Sequence, residues 1–387
     1  MATIKSETSI TLSLPPSCIE FAPSFPNYAA IGTYFLDKDA NSEQGQKRSG
    51  SIELLEVGYD TLTVVQVVET EYGILDLHFS PHEPDIICTA NSTASITFFR
   101  IGQESGAKHP EIVQLGLITG DDFLADGVLA LSLQWHPANP NAIAITSSVG
   151  DVLLLTIDLA ALETKKSMEG SSLAMDGLVS CTSIAKHELE AWTSSFTPLS
   201  TGIYSGGDDC VLGYVPLAEV TGDASQEDPS RLQSGNPRQD RRIHDAGVTA
   251  ILPLSEHVLL TGSYDDHIRI IDTKPNRPKV MAGENLGGGV WRLKLIKSVT
   301  ESWVVSDEPG EIMVLASCMY TGARIVRAVR DESGNWKFEV VARFEEHESM
   351  NYGSDLVPGC GGDGEIAVVS TSFYDKLVCL WRYRLDH

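Results

Sequence analysis

The sequence predicts an all-β fold, a single seven-bladed β-propeller domain over residues 1–387. Three observations carry this expectation. Short runs of alternating apolar residues recur along the whole chain between clusters of Gly, Pro, Asn, Asp and Ser, and helical periodicity is confined to residues 159–168. The runs repeat at about 40 to 50 residues, the period of a propeller blade. Finally, the last repeat ends at LWRYRLDH, directly after a third strand, while an alternating segment at residues 9–14 (SITLSL) precedes the first repeat. That segment is expected to complete the last blade and close the ring, leaving no unpaired edge.

The repeat is plainest in the second half. Blade four reads HELEAWTSSF and GIYSGGDDCVLGY, blade five HDAGVTAILPL and HVLLTGSYDDHIRIID, blade seven HESMNYGSDLV and EIAVVSTSFYDKLVCLW. Each has a His before its first strand (His187, His244, His347) and an Asp in the turn between its second and third strands (Asp209, Asp265, Asp375). This is the WD-repeat pattern, in which His and Asp join through a Ser or Thr hydroxyl and a Trp to tie a blade together. Asp265 and Asp375 both lie six residues before the slot occupied by Ile271 and Trp381. Blades one, two, three and six are degenerate: SCIEFAPSF with YAAIGTYFL and GSIELLEV, GILDLHFSP with DIICTANSTASITFFR, LALSLQWHP with AIAITSSVGDVLLLTID, and GVWRLKLIKSV with EIMVLASCMYTGARIV. Insertions at 37–49, 163–178 and 221–239 are polar and rich in Gly and Ser, and read as surface loops rather than linkers.

Composition narrows the partners. Hydrophobic residues make up 42% of the chain, enough for a large core. Lys and Arg number 28 against 53 Asp and Glu, a formal charge of −25. Such a surface repels phosphate backbones and anionic headgroups, so neither nucleic acid nor membrane is expected as a partner; a basic protein or a cationic ligand is. Solubility alone is the alternative reason for the acid excess. The seven cysteines are scattered without a CxxC pair or a compact Cys/His cluster, so neither a disulfide framework nor a metal site is expected. The N-terminal MATIKSETSITLSLPP has no apolar signal-peptide run, and no stretch approaches the length of a membrane span. A cytoplasmic monomer is the expectation.

The motifs of nucleophile elbows, zinc proteases, phosphate loops and dinucleotide folds are all missing, and no cofactor is implied. Catalysis, if any, must come from the face of the ring built by the starts of first strands and the turns between second and third strands. Blades four to seven bring there Glu190, Trp192, Asp208, Tyr264, Trp291, Arg292, Met319, Tyr320, Tyr352, Phe373 and Tyr374. Aromatic rings beside carboxylates suit a quaternary ammonium group. Packing against neighbouring blades is the alternative, above all for Trp192 and Trp291. His187, His244 and His347, with Asp209, Asp265 and Asp375, have structural duties in the repeat. His267 has none and is a candidate general base, unless it is a solvated turn residue. Cys318 is a candidate nucleophile if its pKa is depressed, and an inert buried thiol otherwise.

At these residues the chain resembles a known family. EAW at Glu190, YSGGDD at Tyr204, TGSYDDHIRIID at Thr261, GGGVWRLK at Gly287, ASCMYTG at Ala316, YGSDLV at Tyr352 and TSFYDKLVCLW at Thr371 together look like diphthine methyl ester hydrolase, the WD-repeat member of the diphthamide pathway. The likeness covers about residues 190–381, motifs in order, and the first half is consistent with it. It implies an enzyme that removes a methyl ester from a trimethylammonium-bearing histidine derivative on elongation factor 2, so that the freed acid can be amidated. Glu190, Trp192, Asp208, Tyr264, Trp291, Tyr352 and Tyr374 are then expected to bind the substrate. His267 or a carboxylate of this face is expected to activate water, with Arg292 or a backbone N–H at the oxyanion; a covalent route through Cys318 is the second chemistry. A non-catalytic adaptor for elongation factor 2 or another basic protein is the competing function. The chain departs from the family in blade four, which reads one residue short and ends VLGY in place of a Trp-Asp pair.

Overall fold

The computed structural model describes residues 1–37, 47–119, 123–160, 179–219, 232–274, 277–296, 310–359 and 364–385. Second strands such as IICTAN (Ile86–Asn91) and AIAITS (Ala142–Ser147) are apolar or small at nearly every position and buried along their whole length. A strand buried on both faces needs a neighbouring sheet on each side, and a ring of sheets supplies it. Seven sheets, one per repeat and each antiparallel among its own blade's strands, form that ring. Their innermost strands are Pro16–Phe21, Ile74–Phe79, Ala130–Trp135, Ala191–Phe196, Val248–Pro253, Val290–Ile296 and Gly353–Leu356, from blade one to blade seven. The blade boundaries drawn from sequence are therefore correct.

The core is not central but divided among the interfaces between neighbouring blades. Phe98 and Trp135 meet edge to face between blades two and three, and Phe344 stacks on Trp381 at 5.2 Å between blades six and seven. Between blades four and five Tyr204, Leu212, Leu259 and Ile271 form the buried cluster.

Closure by the N-terminal segment is as expected, shifted slightly along the chain: Thr8–Thr11 pairs antiparallel with Leu377 to Leu380 as the outer strand of blade seven. A second strand was not foreseen. Ala2–Ile4 runs parallel to the outer strand of blade six, Trp336–Phe344, in register with Ala342, Arg343 and Phe344. Between the two strands, Ser6 donates to the Glu346 carboxylate from both its backbone N–H and its hydroxyl.

Most of the helical stretch at 159–168 and all of the insertion at 163–178 lie outside the described residues. The insertion at 37–49 is paired at its ends, Phe35–Asp37 against Lys47 to Ser49. The end of the one at 221–239 gives two short strands, Leu232–Ser234 and Arg238–Asp240, on the third strand of blade four. Sequence polarity alone could not show this pairing, because these ribbons are not sandwiched between blades.

Blade four is not a residue short. Val215 pairs with Ile203 as Trp381 pairs with Val368, so Val215 holds the slot read as absent, six residues after Asp209. Blade four also carries the fullest His–Asp–Ser set: His187 Nδ1 lies 2.9 Å from Asp209 and Nε2 2.9 Å from Ser205. In blade seven His347 and the Trp381 indole both reach Ser370. In blade five His244 bonds Thr261, while Asp265 turns to Arg269 and to the N–H groups of Asp245 and His267. A guanidinium within reach competes better for that carboxylate than a neutral imidazole.

Candidate active site

Two local devices aim side chains at one mouth of the central channel. The first is a β-bulge. In blades one to six the register of the innermost strand skips one residue near its start, leaving Ser17, Leu75, Leu131, Trp192, Thr249 and Trp291 unpaired. A bulged residue leaves the pleat's alternation and is re-aimed. In blades four and six the re-aimed residue is Trp.

The second device is the turn between second and third strands, which carries one left-handed residue: Cys210 (φ 63°), Asp266 (φ 65°) and Lys376 (φ 57°) in blades four, five and seven. Asp208 and Tyr264 hold equivalent places in it, each donating its N–H back to the start of its own blade, to Glu190 and Gly247. In blade seven the residue with this bond is Phe373, donating to Met350. Blade seven offers both Phe373 and Tyr374 in this turn. Phe373 holds the place equivalent to Tyr264, with Tyr374 as one extra residue in a longer turn.

Together the devices build a continuous aromatic arc across blades four to seven and into blade one. Trp192 meets Tyr264 at 6.1 Å and Trp291 at 5.5 Å between ring centroids. Tyr264 meets Trp291 at 5.9 Å, Trp291 meets Tyr352 at 5.0 Å, and Tyr352 meets Phe373 at 5.4 Å. Tyr34 of blade one extends the arc, 6.3 Å from Phe373. Trp192 and Trp291 pack on one another and stay only half-buried. Close approach depends on two glycines: a Cβ on Gly247 would sit 2.8 Å from Asp208 Oδ1 and 2.9 Å from Tyr264, and one on Gly289 2.8 Å from Met319 Sδ.

Carboxylates border the arc. Trp192 Nε1 donates to Asp208 Oδ1 over 3.1 Å. Burial first, and then Tyr352, Asp208, Glu190 and Tyr320, raise the pKa of Tyr264, so this phenol stays protonated amid negative charge. Burial and nearby Tyr374 push Tyr352 up to about 12. Glu190, Trp192, Asp208, Tyr264, Trp291 and Tyr352 are thus brought together as the sequence suggested. Tyr374 stands at the margin, 68% exposed and packed on Phe373.

The three residues weighed for chemistry fare differently. His267 begins the third strand of blade five, paired with Asn285, and its Nδ1 lies 2.6 Å from the carbonyl oxygen of Asp265 in its own turn. Among the described residues no hydrogen bond, ion pair or ring contact joins its imidazole to the arc. Cys318 is fully buried, its Sγ 3.8 Å from the carbonyl of Ala316, and burial lifts its pKa to about 12. At neutral pH burial keeps it as the thiol, the less nucleophilic form. Arg292 is the residue next to Trp291, and its Nη2 donates to Asp76 Oδ1 of blade two over 2.6 Å.

Asp76 belongs to a group that sequence reading passed over. Below the arc, acidic side chains cap inner-edge N–H groups of the following blade, Asp355 on Phe21, Glu20 on Phe79 and Asp76 on Leu133. Each carboxylate has a cation: Lys294 lies 2.8 Å from Asp355, His78 2.5 Å from Glu20, and Arg292 2.6 Å from Asp76. Burial pulls the Asp76 pKa up, but Arg292 and His78 outweigh it and hold it at about 2. Burial likewise disfavours the His78 cation, yet Asp76 and Glu20 raise its pKa to about 9. The signal was an Asp and a His inside an otherwise apolar first strand, ILDLHF.

With this geometry in hand, similarity to known proteins is informative. No family model matches the chain. A curated relative from Schizosaccharomyces pombe, named diphthine methyltransferase, is 30% identical over 371 residues, covering 95% of this chain and 94% of that protein. The chain belongs to the diphthine methyltransferase family. Relatives of the same name from Saccharomyces cerevisiae and Homo sapiens are 27% and 25% identical, covering 96% and 90% of this chain and 97% and 73% of their own lengths. Among solved structures, Sqt1 from Chaetomium thermophilum bound to the N-terminus of a ribosomal protein has a TM-score of 0.60 at 14% identity, covering 98% of both chains. The WD40 propeller domain of Doa1 has a TM-score of 0.57 at 11% identity, covering 98% of this chain and 96% of that one. These two share the fold. Among the described residues no helix is long and apolar enough to cross a membrane.

Proposed function

We propose that this chain is a cytoplasmic hydrolase that removes the methyl ester of methylated diphthine on elongation factor 2. The observation that carries the reading is the arc of Trp192, Tyr264, Trp291 and Tyr352 bordered by Asp208 and Glu190. A trimethylammonium group has no N–H to donate, so it is recognised through ring faces and nearby negative charge. Diphthine carries such a group close to its esterified carboxyl. Docked in the arc, it brings the ester to the channel mouth beside Arg292.

There the steps are few. Water adds to the carbonyl carbon as Glu190 takes its proton, and Arg292 faces the oxyanion that forms. The intermediate collapses, the acyl–oxygen bond breaks, and methoxide takes the proton from Glu190 to leave as methanol. The freed acid loses its remaining proton to water, leaving a carboxylate on the protein substrate, ready for amidation.

Methyl-esterified elongation factor 2, incubated with the purified protein in water enriched in heavy oxygen, tests the reading by mass spectrometry. Hydrolysis at the acyl carbon puts one heavy oxygen into the freed carboxylate. Methyl transfer to another acceptor leaves both original oxygens in place and would overturn the hydrolase assignment. Binding with the ester intact would favour the adaptor.

A further inference from the structure

We propose that Asp76 is a positioning residue for this hydrolysis: it reaches across the channel from blade two and fixes the Arg292 guanidinium of blade six beneath the aromatic arc. The inference rests on the function proposed above. Its basis is the register of the two strands. Arg292 pairs with Ser317 and Asp76 with Ala90, and each is the first paired residue after its blade's bulge. They therefore stand at the same depth in the ring. Arg292 follows Trp291 directly, so its guanidinium starts from the edge of the arc.

Asp76 is held on both oxygens. Oδ2 accepts the Leu133 N–H at 3.1 Å and lies 3.5 Å from His78 Nε2; Oδ1 accepts the Leu77 N–H and Arg292 Nη2. Its side chain is 2% exposed, so it offers a rigid anchor. Arg292 is the reverse: Nη2 is engaged, while Nε and Nη1 have no protein acceptor among the described residues, and its side chain stays 23% exposed. One end of the planar fork is clamped and the other is left with donors, the arrangement an oxyanion needs. Without its anchor the arginine would spread over several rotamers, and a donor displaced by about 1 Å costs about 100-fold in rate.

The test separates kcat from KM on methyl-esterified elongation factor 2. Asp76→Asn should lose about 100-fold in kcat. KM should stay close to wild type, because the arc that binds the cation is untouched. In an Arg292→Gln background the same change should have no further effect, since Asp76 acts through Arg292. A full additional loss there, or a kcat unchanged in Asp76→Asn, would overturn the proposal. Should Asp76→Asn not fold, Arg292→Lys carries the test, because lysine keeps the charge but loses the fork. Wild-type kcat in Arg292→Lys then refutes it. A wild-type protein that does not cleave the ester at all refutes the proposed function instead, so the two failures are distinguishable.

Discussion

Trp192 and Trp291 occupy the same bulged position in blades four and six, and their rings meet at 5.5 Å across the blade between them. Blade five has Thr249 at that position, a residue small enough to let the indoles approach, with its hydroxyl turned to the carbonyl of Val290. The mouth of the channel is therefore made by a backbone irregularity repeated in blades one to six and filled with a large ring in two of them.

The N-terminal strands are expected to act as two separable latches. Removing residues 1–5 takes away the parallel strand on blade six, and removing residues 1–14 also opens blade seven. Thermal melting should fall with the first deletion and fall further, with aggregation, after the second. An unchanged melting temperature for the longer deletion would show that closure does not depend on these strands.

Asp265 is expected to serve stability rather than turnover. Its side chain, 8% exposed, holds Arg269 at 2.8 Å and caps the N–H of Asp245. Asp265→Ala leaves a nearly buried guanidinium without its partner, a loss of about 1–3 kcal/mol. Denaturant melts should show this, with ester cleavage per folded molecule unchanged. Normal stability with lost cleavage would mean that Asp265 belongs to the site.

The sequence-based reading was strongest where burial enforces a pattern. Blade order, the closing segment and the candidate residues of blades four to seven were legible because apolar alternation and the His–Asp repeat are physical requirements of stacked sheets. The first-half contribution was not. Glu20 reaches His78 in the neighbouring blade, and Arg292 finds Asp76 across the channel at a sequence separation of 216. No local periodicity encodes such a pair. In the blade-seven turn one extra residue puts Phe373 in the arc and leaves Tyr374 at its margin, a difference that the sequence placing both on this face does not resolve.

Stability should peak near pH 6.5. His78, whose pKa rises to about 9 in the fold, contributes fully below about 6.5, and that contribution is lost as pH climbs through 9. On the acid side, burial depresses His136, His244 and His347 to about 4. The unfolded chain takes up protons on these three between pH 6.5 and 4 while the folded chain does not, so stability falls as pH falls through that window. Melting curves from pH 4 to 10 should trace both limbs, and His78→Gln should flatten the alkaline one. An alkaline limb unaltered in His78→Gln would remove the channel network as its cause.

The arc itself carries the remaining prediction. Tyr264, Trp291 and Tyr352 are not needed by the His–Asp scaffold of any blade, and each touches two or more other rings of the arc. A trimethylammonium over one such face gains about 0.5–2 kcal/mol, equivalent to about 2- to 30-fold in affinity. Tyr264→Ala and Trp291→Ala should each raise KM for methyl-esterified elongation factor 2 by that order. Trp192→Ala should do the same and also release Asp208 from its 3.1 Å bond. Tyr374→Ala should have the smallest effect of the set, because that ring is exposed and packs only on Phe373 among the arc. His267→Ala and Cys318→Ser should keep turnover, the first because its imidazole stays within its own turn, the second because its thiol is buried and protonated. Circular dichroism checks the fold of every variant. Unimpaired cleavage in Tyr264→Ala, Trp291→Ala and Trp192→Ala together would place the substrate at the opposite mouth of the channel. Cleavage abolished in folded Cys318→Ser alone would restore the covalent route.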